Sequence, residues 1–239
     1  MCTGRCPIRS TVLILLASLL TAPRVAAADA YGVRLPADGL VVEVPYSLGT
    51  HHEHVTEVDG TLRIDPESLR LERSRLTVPL ASFRSDDPKR GCHLREALGL
   101  DYTRSRFPRE HVCDDHNRLP ASGPDAIAFP EIAVDLTRGG PVASDGGLGG
   151  EVEAEGTLTA HGVSRPIRLR LALSRASPGS DALRVRARVP LRLSEFGVTV
   201  KSANVLFVSI SVSDEIVVVV DALIEPLGAG ARSGASTEP

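Results

Sequence analysis

The chain has 239 residues, 27 basic and 30 acidic side chains, and a formal net charge of −3. Aromatic residues make up 3% of it and tryptophan is absent. A slightly acidic chain without a basic block or interleaved aromatics lacks the footprint of a nucleic-acid binder.

The N-terminus reads as a secretory signal peptide over residues 1–28. Arg5 and Arg9 supply a basic start, Thr11 to Ala22 an apolar run, and Ala26 and Ala28 a small-residue cleavage site. A transmembrane anchor is the alternative, but Pro23 and Arg24 cut the run short of the roughly 20 apolar residues a span needs. No other run is long enough to span a bilayer. Export removes Cys2 and Cys6 and leaves Cys92 and Cys113. In an oxidising compartment that pair reads most simply as a disulfide, stabilising by roughly 3 kcal/mol in the chain-entropy model. A redox or metal site is the alternative. His93, His111 and His116 lie nearby, but the spacing fits no C-x-x-C or zinc pattern.

The mature chain opens with strand-like segments at Tyr31–Leu35 and Leu40–Leu48. GTHHEH reads as a polar connection. His54 to Asp65 reads as two short strands about an Asp59-Gly60 turn. Ser68 to Phe83 is a further strand. Arg84 to Pro130 is charged and loop-rich, with a short helix expected near Cys92–Leu100. Alternation resumes from Ala126 to Leu136, and RGGPVASDGGLGG reads as a flexible hairpin connection.

The most regular stretch follows. In EVEAEGTLT, Val152, Ala154 and Leu158 share a face opposite three glutamates. In IRLRLAL, Ile167, Leu169, Leu171 and Leu173 lie opposite Arg168 and Arg170. Period-two alternation means strands with one buried face, so these form a hairpin joined at His161-Gly162. Leu183–Leu193, Asn204–Val212 and Glu215–Glu225 complete the strands. Residues 227–239 carry no apolar pattern and read as a disordered tail. About eight or nine strands without βαβ alternation predict an all-β sandwich or closed barrel, and closure removes exposed edges.

Leu158 to Ile167, LTAHGVSRPI, resembles the LT-x-HGVT-[KR]-P signature of the YceI family of periplasmic lipid-binding proteins. Supporting matches are Asp59–Asp65, Val78–Phe83 followed by Arg90, His93, Leu94 and Arg95, then Phe107-Pro108, Ile127–Phe129 and Leu193–Val198. The chain departs from the pattern at Ser164, at Ser47 where a histidine is common, at ALGLDY, and at an inserted segment covering 111–126. The resemblance implies a single domain over 29–226. Its fold would be an antiparallel, lipocalin-like β-barrel of about eight strands with one or two short helices. It further implies an isoprenoid or other amphiphilic lipid as partner, no cofactor, and a periplasmic or secreted location. Inward positions then become candidate ligand contacts: Phe83, Phe129, Leu169, Leu171, Val185, Ala187, Val189, Val205 and Phe207, with His93 near the mouth. His161, Gly162 and Pro166 carry the family motif.

Other constellations have a bland alternative. His52 and His54 would project from one side of a strand beside His51, a weak metal geometry or a polar hairpin surface. His161 would meet a ligand head group or tie its turn to nearby backbone. His93 and Arg95 would meet a ligand oxygen or face solvent. Arg184, Arg186, Arg188 and Arg192 would touch anionic lipid or face solvent opposite glutamates. No catalytic motif is present, and the adjacent pairs Asp86-Asp87 and Asp114-Asp115 read as turn formers. The expectation is a lipid carrier rather than an enzyme. A filled interaction barrel, or an enzyme using His93, His161 and the loop aspartates, are the other readings.

Overall fold

The computed structural model describes residues 28–85, 94, 97, 98, 128–144, 149–199, 203–205 and 208–228. The first half supplies β1 (Asp29–Arg34), β2 (Leu40–Tyr46), β3 (Gly49–Val55), β4 (Asp59–Asp65), β5 (Arg70–Leu71), β6 (Ser74–Pro79) and β7 (Phe83–Ser85). The second half supplies β8 (Glu131–Ser144), β9 (Gly150–Ala160), β10 (Val163–Arg175), β11 (Leu183–Arg192), β12 (Ala203–Val205), β13 (Val208–Ile210) and β14 (Glu215–Pro226).

The sheet closes because β1 pairs with both β4 and β14. Around the ring run β1, β4, β5 with β6, β8, β9, β10, β11 and β14, an eight-stranded antiparallel barrel. β5 and β6 share one position, each pairing with β4 and β8. β14 uses one edge twice. Leu223 to Pro226 pair with β1, and Val217 to Val220 pair with β2, which leads on to β3 and β7.

The expected alternation sets the inside of this ring. Val152, Ala154, Leu158, Leu171, Leu173 and Val185 are buried. The opposing charges meet on the outside, where Arg168 pairs with Glu153 and Glu155, and Arg170 with Glu151. Such exposed pairs add little stability, but they favour this register over a slipped one. One end of the barrel is plugged by Ile64, Leu71, Val152 and Ile224, each at most 2% exposed. Burying each such side chain contributes about 1.5–3 kcal/mol.

Several segments differ from the sequence reading. GTHHEH is not a connection but most of β3, its inward face made by His51, Glu53 and Val55. Asp59-Gly60 is not a turn. It opens β4 with Gly60 at φ 113°, where a Cβ would lie 2.2 Å from the Arg75 carbonyl oxygen. The glycine permits close strand approach. RGGPVAS extends β8 instead of looping. Two register shifts absorb its glycines and proline, and Gly139 packs against the Leu71 side chain. Ser68–Phe83 is broken by Leu80–Ser82, a single 3-10 turn. Asn204–Val212 is not one barrel strand, because β12 and β13 pair with each other in a separate two-stranded sheet. Of the expected helix at Cys92–Leu100, a turn at Leu94 and Ala97 is described, with Leu98 N–H donating to Leu94 O at 2.9 Å. Residues 1–27 of the expected signal peptide, Cys92, Cys113, the 111–126 insertion and most of the C-terminal tail lie outside the described residues.

Candidate functional site

The barrel encloses a cavity of about 260 Å³ walled by apolar side chains alone. This is just under the usual 300–1,000 Å³ of small-molecule pockets, which suits a slender chain better than a bulky ring system. Of the residues expected from sequence, Phe83, Leu169, Leu171, Val185, Ala187 and Val189 stand on its wall. Phe129 does not. It precedes the alternating part of β8 and sits half-buried against the His161 ring, with ring centroids 4.8 Å apart. Val205 belongs to the separate β12–β13 sheet rather than the barrel, and its side chain, like His93, Arg95 and Phe207, lies outside the described residues.

Wall residues the sequence reading missed include Val42, Val55, Val218, Val220 and Phe196. A run such as Val217 to Val220 has no alternation, so only pairing with β2 and β11 shows that Val218 and Val220 face inward.

The wall has a lateral break. β10 and β11 pair only between Ala172–Arg175 and Leu183–Arg186. Beyond that ladder, β9 holds the far edge of β10 and β14 the far edge of β11, while their facing edges are unpaired. Pro166 and Pro190 lie on the two unpaired stretches, and neither can donate a ladder hydrogen bond. A recess of about 400 Å³ fills the gap. Ile167, Leu169, Val189, Leu191 and Phe196 line both this recess and the interior cavity. The gap is therefore a window onto the cavity, with Arg165, Arg168, Arg192, Glu195 and Glu215 around the apolar side chains that it shares with the interior.

A 3-10 turn, Leu193–Phe196, roofs the window. Asp214 anchors it, accepting from the Ser194 backbone N–H at 2.7 Å and the Ser194 hydroxyl at 2.6 Å. The Ser194 hydroxyl, followed by its backbone N–H, holds the Asp214 carboxyl below its ordinary value. Gly197 closes the turn at φ 71°. Arg165 Nε donates to Glu195 O at 2.9 Å, and His161 Nδ1 lies 3.2 Å from Phe196 O.

His161 and Gly162 both have positive φ, 50° and 71°, which a two-residue type I′ hairpin requires. A Cβ on Gly162 would meet Phe129 Cε1 at 2.5 Å. The motif histidine thus joins the β9–β10 turn to the window roof. Pro166 lies exposed at the window.

The histidines of β3 diverge. His51 faces inward, while His52 and His54 face outward and His54 meets Asp38 at 3.1 Å. Among the described residues no group of three metal-type side chains converges. His51 Nε2 lies 2.5 Å from Glu53 Oε1 and 3.1 Å from Ser85 Oγ. Both partners meet one ring nitrogen, so the three do not form a serine–histidine–carboxylate relay, which needs opposite nitrogens. The arginine stripe is paired. Arg184 and Arg186 meet Asp221, Arg188 meets Glu43 and Arg192 meets Glu215.

Residues 40–223 match the model of the YceI-like domain. No curated protein matches the chain. Among solved structures, BcnA from Burkholderia cenocepacia superposes with a TM-score of 0.54 at 12% identity, covering 80% of this chain and 99% of that one. A polyisoprenoid binding domain from Saccharophagus degradans, implicated in plant cell wall breakdown, gives 0.50 at 14% identity over 83% and 99%. A Campylobacter jejuni YceI protein gives 0.48 at 14% identity over 72% and 82%. At these identities the Burkholderia and Saccharophagus structures establish the shared fold, while the domain match covers most of the sequence. The chain belongs to the YceI-like family.

Proposed function

We propose that this protein is a secreted or periplasmic carrier that holds one isoprenoid or similar amphiphilic lipid inside its barrel. The observation that carries this is the wholly apolar cavity opening sideways between β10 and β11. Burying each chain carbon there is worth about 0.8 kcal/mol before the costs of association. Little polar chemistry is needed to hold such a ligand, and the window offers it a path through the side of the barrel. The polyisoprenoid-binding description of the Saccharophagus domain supports the ligand class, and family membership together with the signal-like N-terminus supports export. The mode of action is sequestration, since holding a lipid in an apolar cavity needs no reacting group.

Calorimetric titration with geranylgeraniol tests the reading. Saturable binding near one per chain is expected. Absence of any heat or competition with prenyl chains would overturn it.

A further inference from the structure

The inner face of β3 carries a polar pair that a purely apolar carrier does not need. Glu53 is 1% exposed. Its Oε1 faces His51 Nε2 at 2.5 Å, and Ser85 Oγ lies 3.1 Å from the same nitrogen. Its Oε2 is buried without a hydrogen-bond partner among the described residues. Val42, directly across in β2, and Val55, two positions along β3, both belong to the cavity wall. Phe83, two positions from Ser85 in β7, belongs to it as well. Glu53 itself is not part of the apolar wall; its carboxylate lies beside the wall, roughly 7 Å along the strand from Val55.

A buried carboxylate oxygen without a donor is costly, and folds retain such groups chiefly at functional sites. Among the described residues the ionisable base beside it is His51, which meets Oε1 and leaves Oε2 unpartnered. Arg84 on β7 spends its Nη1 on the carbonyls of Ala81 and Phe83. Among the described residues none supplies the missing donor, which leaves the position open to a ligand.

We propose that Glu53 Oε2 is the head-group acceptor of the cavity, and that the ligand is an amphiphile with a non-anionic, hydrogen-bond-donating head such as a primary alcohol or amide. This rests on the carrier reading and narrows its ligand. The hydroxyl or N–H donates to Oε2, and the apolar chain runs past Val55 and Phe83 into the cavity. A phosphate head brings like charge to a buried carboxylate and is disfavoured. At the window Arg168 is paired with Glu153 and Glu155, Arg192 with Glu215, and Arg165 spends its Nε on the Glu195 carbonyl.

The test compares three C20 ligands, geranylgeraniol, geranylgeranyl phosphate and the matching hydrocarbon, on wild type, Glu53→Leu and Glu53→Gln. Wild type is expected to favour the alcohol over the hydrocarbon by about tenfold, the effect of one buried hydrogen bond to a charged group, and to bind the phosphate most weakly. Glu53→Leu should erase the preference for the alcohol and keep hydrocarbon binding. Glu53→Gln keeps the shape without the charge and should lift the discrimination against phosphate, which guards against misfolding of the leucine variant. Equal binding of alcohol and hydrocarbon by wild type, a preference for phosphate, or an unchanged preference in Glu53→Leu would overturn the head-group site while leaving the carrier intact. If none of the three binds wild type, the carrier reading itself fails and this one falls with it.

Discussion

His161 donates its Nδ1 proton to the main-chain oxygen of Phe196 across 3.2 Å, since a carbonyl oxygen only accepts. That bond ties the β9–β10 turn to the side chain shared by window and cavity. On the carrier reading, the motif histidine would act on access to the cavity by holding the backbone of Phe196. His161→Ala is expected to cost about 1 kcal/mol of stability and to speed ligand release several-fold with little change in association. Stopped-flow displacement alongside thermal melting reads both. Unchanged release would detach the turn from the window.

Ala187 stands on the cavity wall, across from Val220 in β14. Ala187→Phe should occupy the space meant for ligand. Binding is expected to fall at least tenfold while stability changes by less than about 1 kcal/mol, because the cavity accepts the ring. In a barrel already filled, the same substitution would overpack the core and cost about 1–3 kcal/mol. Urea unfolding separates the two.

Gly162→Ala places a Cβ on a residue at φ 71° and against Phe129 Cε1. A loss of about 2 kcal/mol is expected, within the range for strained positive-φ residues plus a local clash. The urea slope should stay at its wild-type value, since the compactness of the fold is unaltered. A neutral outcome would show that the turn adopts another form.

Among the described residues, four carboxyl groups are held below their ordinary values. The Ser68 hydroxyl lowers Asp65, the Arg138 guanidinium Glu155, the Ser194 hydroxyl Asp214, and the Arg184 guanidinium Asp221. A depressed folded value gives stability that is present above the unfolded carboxylate range and is lost as pH falls through the folded one. Burial raises the Tyr31 phenol above its ordinary value of 10.0. Its contribution is present below pH 10.0 and is lost as pH rises beyond it. Urea midpoints from pH 2 to 11 should show a plateau with an acid limb below about pH 4 and an alkaline limb above about pH 10. An acid limb centred near pH 6.5 would instead implicate the histidines.

The barrel was legible wherever one side of a strand is charged. The glutamates of β9 and the arginines of β10 and β11 mark the outside, so Val152, Leu171 and Val185 are inward by elimination. It was illegible where polarity and orientation part company. β3 reads as a polar connection because its inward face carries His51 and Glu53, and composition cannot show that the two meet there. Val217 to Val220 defeats alternation in the opposite way. The window was hidden because it depends on where the β10–β11 ladder stops, although Pro166 and Pro190 mark the place where donors are missing.

The central claim is that the cavity holds a lipid, and native mass spectrometry of the protein purified from an exported, detergent-free preparation tests it most directly. The account predicts a discrete adduct near one per chain, of a mass matching a prenyl alcohol or a similar donor-headed lipid, that is displaced by geranylgeraniol and absent from Ala187→Phe. A clean unliganded mass that does not shift when polyprenols are added would contradict it.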